Sequence, residues 1–361
     1  MESLPDSSRA LVYDPSTRRL EMRNVPLRAP GTGEVVVRVT LSSLCRSDLH
    51  TVSGRRSPTG PLILGHEIVG TIAAMGEDPP ADASGQPLRV GDRVTWSIAA
   101  SCGHCFACTH GLPQKCASLL KYGHQVLASD PPLSGGFAQY CFLVPGTAIF
   151  RLPDHLPDST AVFANCAVAT AAAIVRHGAV GPGDSVLIQG AGLLGLSVAA
   201  LCASEGAGVI AMSDVCPVRL EKALDFGATL ALDDAADQPG DPTPEHRGFD
   251  VAVEVCGQPR VIPAGVSALR TGGSYVIAGC VYPGATVEID MHSVIFKHLR
   301  IQGVHNYVPA DLGEAVAFIA AQENRFGFGD VVAQVYPLEE WREAFARAEN
   351  DAGILRVALA P

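Results

Sequence analysis

Apolar and polar positions divide the chain into two regions of different period. From Arg9 to Thr40 the pattern is of short strands, and Glu34 to Thr40 (EVVVRVT) alternates well enough to predict a partly buried sheet. Apolar residues flank a Gly-His-Glu triplet between Leu62 and Ala74, and Leu88 to Ile98 (LRVGDRVTWSI) reads as a turn followed by a strand. Glycine and proline recur here, at Gly54, Pro58, Gly60, Pro61 and Pro79-Pro80, and no long helical period develops. This part predicts a β-rich, irregular domain. Ser159 to His177 is alanine-rich and predicts a helix. The longest apolar run, Val186 to Ala203, has the length of a membrane span, but Gln189 and the glycines of its first half break it. It reads as a buried strand running into a helix. A strand from Gly208 to Met212, a helix to Gly227-Ala228, a polar loop from Asp233 to Arg247, and strands at Phe249 to Val255 and Ser274 to Gly279 follow. Strand and helix in alternation imply a doubly wound parallel sheet, so the fold class is α/β. A helical segment from Asp311 to Ala321 follows His305, where the chain is expected to return to the first domain.

At 361 residues the chain is long for one compact core, and two domains are expected. Hydrophobic residues make up 47% and charged ones 17%, which is ample for a core and argues against extended disorder. Twenty-six Lys and Arg against 37 Asp and Glu give a formal charge of −11, which disfavours nucleic acid and anionic membranes as partners. The first residues, MESLPDSSRALVYDP, lack the basic-then-apolar pattern of a secretory signal, so a cytoplasmic protein is expected. In that compartment eleven cysteines imply reduced thiols and metal binding rather than disulfides.

The segment CRSDLHTVSGRRSPTGPLILGHE, Cys45 to Glu67, holds two soft-metal donors, Cys45 and His66, with Asp48 three residues after the cysteine and Glu67 directly after the histidine. A thiolate and an imidazole suit Zn²⁺, and a site left open for water or substrate needs one further protein ligand. Each residue alone would be read as core packing. Cys102, Cys105, Cys108 and Cys116 form a C-x₂-C-x₂-C-x₇-C cluster that can close a tetrahedral, structural zinc shell. A lone Cys166 on the predicted helix defaults to core packing. Gly190, Gly192 and Gly195 form a G-x-G-x-x-G turn after a strand and before an apolar segment, the arrangement that seats a dinucleotide pyrophosphate. Asp214 ends the next strand, nineteen residues after the last of these glycines. A carboxylate there accepts from ribose hydroxyls and repels a 2′-phosphate, which favours NAD, while Arg219 softens that preference.

CRSDLH followed by GHE, the four-cysteine lobe, SGGFAQY, Cys166, the glycine turn and the closing ILR at Ile354 to Arg356 together resemble the zinc-dependent medium-chain alcohol dehydrogenases over nearly the whole chain. The resemblance implies a GroES-like catalytic domain from residues 1–167 with 305–361, and a Rossmann NAD-binding domain at 168–304. It implies Cys45, His66 and Cys166 as catalytic zinc ligands and a second zinc in the cysteine lobe. Ser47 and His50 correspond to a proton relay, Asp48 to the partner that orients His66, and Glu67 to a carboxylate behind the metal. Arg46 and Arg356 match positions on the pyrophosphate, Thr170 and Leu194 positions against the nicotinamide, and Leu193 lies inside the glycine turn. Homodimers or homotetramers are the family's assemblies.

A narrower resemblance, in GLPQKC (Gly111 to Cys116), KYGH (Lys121 to His124) and HNY (His305 to Tyr307), is to the phosphonate-associated branch of the family. Arg56 and His305 correspond to positions lining the substrate cleft, and basic groups there suit a small hydroxylated anion or its aldehyde. The solvated alternative places Arg55 and Arg56 at a loop tip. A polyol dehydrogenase, a zinc-free quinone or enoyl reductase of the same superfamily, and a non-enzymatic protein that keeps the fold are the competing readings.

Overall fold

The computed structural model describes residues 4–127, 130–233 and 248–361. All but the first residue of the polar loop expected from Asp233 to Arg247 lies outside the described residues. The chain forms two compact units: residues 1–166 with 308–323 and 328–361, and residues 167–307 with 324–327.

The first unit is built on a seven-stranded sheet whose central strand is Val35–Ser43. This strand pairs antiparallel with Glu67–Met75 along its length, in a register that sets Ser43 opposite Glu67, and with Tyr140–Leu143 and Arg356–Ala360. Its burial is almost continuous, because the sheet is covered on both faces and the alternation expected of Glu34 to Thr40 survives only at Arg38 and Thr40. One core gathers Leu11, Tyr13, Leu62, Phe137, Phe345 and Leu359. Another gathers Val35, Val37, Ile68, Trp96, Tyr122 and Cys141. The cysteine lobe is a short excursion closed by the two-residue strands Ala99–Ala100 and Leu120–Lys121.

The second unit is a six-stranded parallel sheet. Numbered along the chain, its strands Ser185–Gln189, Val209–Asp214, Leu230–Asp233, Phe249–Glu254, Leu269–Ile277 and Arg300–Gly303 stand in the order 3-2-1-4-5-6. The apolar run from Val186 to Ala203 is divided between the first of these strands and the helix Leu193–Ser204. The reversal of strand order falls beside this pair, the place where doubly wound sheets bind nucleotides. Among the described residues one helical stretch, Asp158–Gly178, is apolar and long enough to cross a membrane, but 83% of its apolar window is buried within the protein. It is a core element.

Candidate metal centre and cofactor turn

Helix α1 (Arg46–Val52) begins at Cys45, which is extended at φ −86°, ψ 155°. The Leu44 amide donates to the Val357 carbonyl, which fixes the exit from the central strand. Asp48, buried in the first turn of α1, accepts the Cys45 amide at 2.9 Å and the Gly65 amide at 3.3 Å, and its Oδ1 lies 3.3 Å from His66 Nδ1. One carboxylate thus holds both the cysteine and the histidine segment. Gly65 has φ +83°, and a Cβ there would lie 2.7 Å from the Phe137 ring, so only glycine lets the chain turn His66 inward.

Cys166 stands on a π-helical turn, Ala164–Val168, a local distortion that re-aims side chains at functional sites. Asn165 beside it is buried and donates to the carbonyls of His66 at 3.0 Å and Trp96 at 3.1 Å. The alanine-rich helix expected from Ser159 to His177 is therefore broken into Asp158–Ala161, the π turn and Ala169–Gly178.

The donor atoms of Cys45, His66, Glu67 and Cys166 all lie within 4.8 Å of one another. His66 Nδ1 faces Asp48, while Nε2 lies 3.3 Å from Ser47 Oγ. The Cys45 thiol is held well below its usual range, first by sharing a hydrogen with Cys166 and then by Arg356 and His66. The same sharing pushes Cys166 well above it. Burial works against charge on His66, yet Asp48 and Cys45 raise its pKa to about 10. A set with two sulfurs and an imidazole whose other ring nitrogen faces Asp48 fits a soft divalent cation such as zinc.

Glu67 is fully buried, and desolvation pushes its pKa up. It meets Arg356 through two parallel hydrogen bonds of 2.7 Å and accepts a short one from Ser43. Arg356, expected on a cofactor pyrophosphate, is buried, and its guanidinium contacts Glu67, Cys45 Sγ at 3.5 Å and the Leu355 carbonyl. His50 is half-buried near the end of α1, and burial followed by Arg55, Arg46 and Arg56 holds its pKa down. Arg46 is exposed on the first turn. Arg56, half-buried, donates to His124 Nε2 at 2.9 Å, whereas His305 is exposed beyond strand Arg300–Gly303 in the second unit.

In the cysteine lobe, Cys102, Cys105, Cys108 and Cys116 bring their sulfurs within 4.8 Å of one another with no disulfide. Cys105 Sγ lies 3.5 Å from Cys108 Sγ and 3.8 Å from Cys116 Sγ. A tetrahedron with Zn–S bonds of about 2.3 Å has edges of about 3.8 Å. The four sulfurs already stand near the corners of that shell.

At the second unit's turn, Gly190 has φ +122°, and a Cβ at Gly195 would lie 1.8 Å from the Gly190 carbonyl oxygen. A Cβ at Gly192 would meet nothing within 4 Å, so this side of the turn is open to a ligand. Gly192 caps the helix that Leu193 and Leu194 begin, whose free amides favour a phosphate. Asp214 accepts from the Ala191 amide at 2.7 Å, the Cys216 amide at 2.8 Å and Arg219 at 2.6 Å. It braces the glycine turn as well as ending its strand. Thr170 is half-buried, one helical turn beyond Cys166.

A thiolate–imidazole centre in one unit and a nucleotide turn in the other define a metal-dependent dehydrogenase. Family models agree: residues 31–154 match the alcohol dehydrogenase GroES-like domain and residues 194–321 the zinc-binding dehydrogenase domain. The chain is 32% identical to 5-exo-hydroxycamphor dehydrogenase of Pseudomonas putida, over 90% of this chain and 91% of that protein. It is 28% identical to the L-threonine 3-dehydrogenase of Stenotrophomonas maltophilia, over 95% and 96%. The crystal structure of an alcohol dehydrogenase from Thermotoga maritima superposes with a TM-score of 0.90 at 25% identity, covering 98% of this chain and 99% of that one. The chain belongs to the zinc-binding, medium-chain alcohol dehydrogenase family, whose members are oxidoreductases acting on alcohols with NAD(P).

Proposed function

We propose that this protein is a cytoplasmic, NAD-linked alcohol dehydrogenase with one catalytic and one structural zinc, acting on a small hydroxylated anion such as a phosphonate-bearing alcohol, or on its aldehyde. The observation that carries the reading is the convergence of Cys45, His66 and Cys166 on one point, with Glu67 behind them. Zinc held by that donor set would supply Lewis-acid polarisation of a substrate oxygen, and bound NAD would supply the hydride acceptor. Ser47, within reach of His66 Nε2, takes the hydroxyl proton, and His50 carries it toward solvent. Asp48 orients His66, and the Glu67–Arg356 pair holds the floor of the site. Gly190, Gly192, Leu193 and Gly195 receive the pyrophosphate with Arg46 and Arg356, Asp214 and Arg219 take the adenosine ribose, and Thr170 and Leu194 lie toward the nicotinamide. Arg56 and His305 select the substrate. The catalytic domain is residues 1–167 with 305–361 and the NAD domain 168–304. A screen of alcohols, polyols and hydroxyphosphonates for NAD-dependent turnover, with zinc measured on the same preparation, tests this. Zinc-free protein with full activity points to the quinone-reductase reading.

An assembly of identical subunits is part of the proposal. Strand Arg300–Gly303 is the exposed edge of its sheet, next to a short helix that leaves Met291, Ile295 and Phe296 60–70% exposed. Such an edge is a pairing surface.

Two expectations follow for cofactor and pH. NAD is used in preference to NADP, and Asp214→Ser narrows the gap while weakening both, since the carboxylate also braces the turn. Comparison of kcat/KM for the two cofactors checks this, and a tenfold native preference for NADP removes the assignment. Because the pKa of His50 is lowered, the group stays an unprotonated acceptor at pH values below the ordinary histidine pKa of about 6.5. The acid limb of alcohol oxidation is therefore expected below that value. His50→Gln should slow turnover at neutral pH by about a hundredfold, with the deficit shrinking as pH rises and solvent takes the proton. An unchanged pH profile in that variant excludes the relay.

A further inference from the structure

The string Lys121-Tyr122-Gly123-His124 wraps the back of the Gly-His-Glu turn. Tyr122 is its anchor, fully buried, with its hydroxyl 2.7 Å from Thr147 Oγ1. Gly123 has φ +72°, and a Cβ there would lie 2.6 Å from the Gly65 carbonyl oxygen and 2.9 Å from His66 Cβ. This close approach brings His124 against a proposed metal ligand: the rings of His66 and His124 are 5.0 Å apart.

The tautomer of His124 follows from its partners. Nδ1 lies 3.1 Å from the Tyr122 carbonyl, which can only accept, and Nε2 lies 2.9 Å from Arg56 Nη1, which can only donate. His124 is therefore neutral, with its Nε2 lone pair spent on the guanidinium. Among the described residues no carboxylate forms an ion pair with Arg56. On the other side of Tyr122, half-buried Lys121 accepts the His124 amide on its carbonyl at 3.1 Å, and its pKa falls to about 8, first through desolvation and then through Arg56. His124 thus stands between two basic residues beside a proposed metal ligand, with Arg56 on its Nε2 and Lys121 one turn back along the chain.

We propose that Arg56 and Lys121 form an oxyanion subsite beside the metal ligands, that His124 is the positioning residue aiming Arg56, and that the substrate's carboxylate, phosphonate or phosphate group occupies this subsite. The inference rests on the alcohol dehydrogenase reading and sharpens its substrate class. An oxyanion between the two side chains receives charge-assisted hydrogen bonds from both and offsets their mutual repulsion. A subsite aimed by His124, which packs on His66, favours short substrates in which the hydroxyl and the anionic group are a few bonds apart.

The test uses the zinc-loaded full chain. Ethylphosphonate and propanoate, which lack a hydroxyl, are titrated calorimetrically. Turnover with NAD is measured on 2-hydroxyethylphosphonate, 3-hydroxypropanoate and propan-1-ol. One anion class is expected to bind, and the alcohol carrying the same group is expected to be the better substrate, which separates the phosphonate from the carboxylate source. Arg56→Gln and Lys121→Gln should each weaken anion binding, and raise KM for the anionic alcohol, by about tenfold or more, a larger factor than either imposes on propan-1-ol. His124→Phe should reproduce the Arg56→Gln loss, and His124→Gln, which keeps an acceptor, should restore most of it. If one variant fails to fold, the others carry the comparison. Absence of anion binding to the native chain, or equal losses for charged and neutral alcohols, overturns the subsite. Anion binding that depends on Arg56 in a protein with no NAD-linked turnover leaves the subsite standing and overturns the hydride-transfer reading instead.

Discussion

Replacement of Cys45 or Cys166 by serine is expected to abolish turnover while leaving a folded protein that binds NAD. Both sulfurs belong to one buried cluster, and loss of either removes a donor that serine replaces poorly for a soft cation. The drop should be about a thousandfold or more, equivalent to about 4 kcal/mol of transition-state stabilisation. The scaffold should hold, because Asp48 ties Cys45 and Gly65 through backbone amides and Asn165 pins the π turn to two carbonyls, none of which involves the thiols. Zinc content should fall by one ion per chain. Near-native turnover in Cys45→Ser removes the metal mechanism altogether.

Cys105→Ser is expected to act in the opposite way, on stability before chemistry. The lobe from Cys102 to Cys116 has only a four-residue helix, Phe106–Thr109, and a single turn, Pro113–Lys115, and it leaves Phe106 exposed. Too little apolar surface is covered for the lobe to hold itself, so the metal must supply its folding free energy. Loss of one thiolate should lower the melting temperature by about 10 °C or more and leave kcat of the surviving folded fraction nearly unchanged. A melting temperature within about 2 °C of the parent means that the four sulfurs are not a structural zinc site.

The sequence carried those features that local spacing encodes. The strand–helix alternation, the glycine turn and the four-cysteine lobe are all short-range patterns, and each has the predicted form. Cys45, His66 and Cys166 stand 21 and 100 residues apart along the chain and were linked only through family resemblance, since no periodicity relates them. Asn165 was missed because its role is to hold two backbone carbonyls, and carbonyls leave no mark in a sequence. The π turn was missed because alanine-rich segments favour an unbroken helix, and tertiary fixation of Asn165 overrides that propensity. The contact of Arg356 with Glu67 has no mark in the sequence, because the two lie 289 residues apart and ion pairs at that separation cannot be read from spacing. In the sequence Lys121 and His124 stand out only as part of the string KYGH. Their chemistry emerged from Gly123, whose missing Cβ allows the string to lie on the Gly65–His66 backbone.

The Glu67–Arg356 pair also sets a timetable for biosynthesis. During translation Val35–Ser43 and Glu67–Met75 emerge before the Arg356–Ala360 strand that joins their sheet, and the guanidinium that neutralises Glu67 follows it by 289 residues. The parallel sheet formed from Ser185 to Gly303 has all its strands outside the ribosome before then, so it can fold while the other unit still waits for its last strand. A nascent chain would therefore acquire the ability to bind a dinucleotide before it could finish its metal centre, and until then Glu67 would lack its cation.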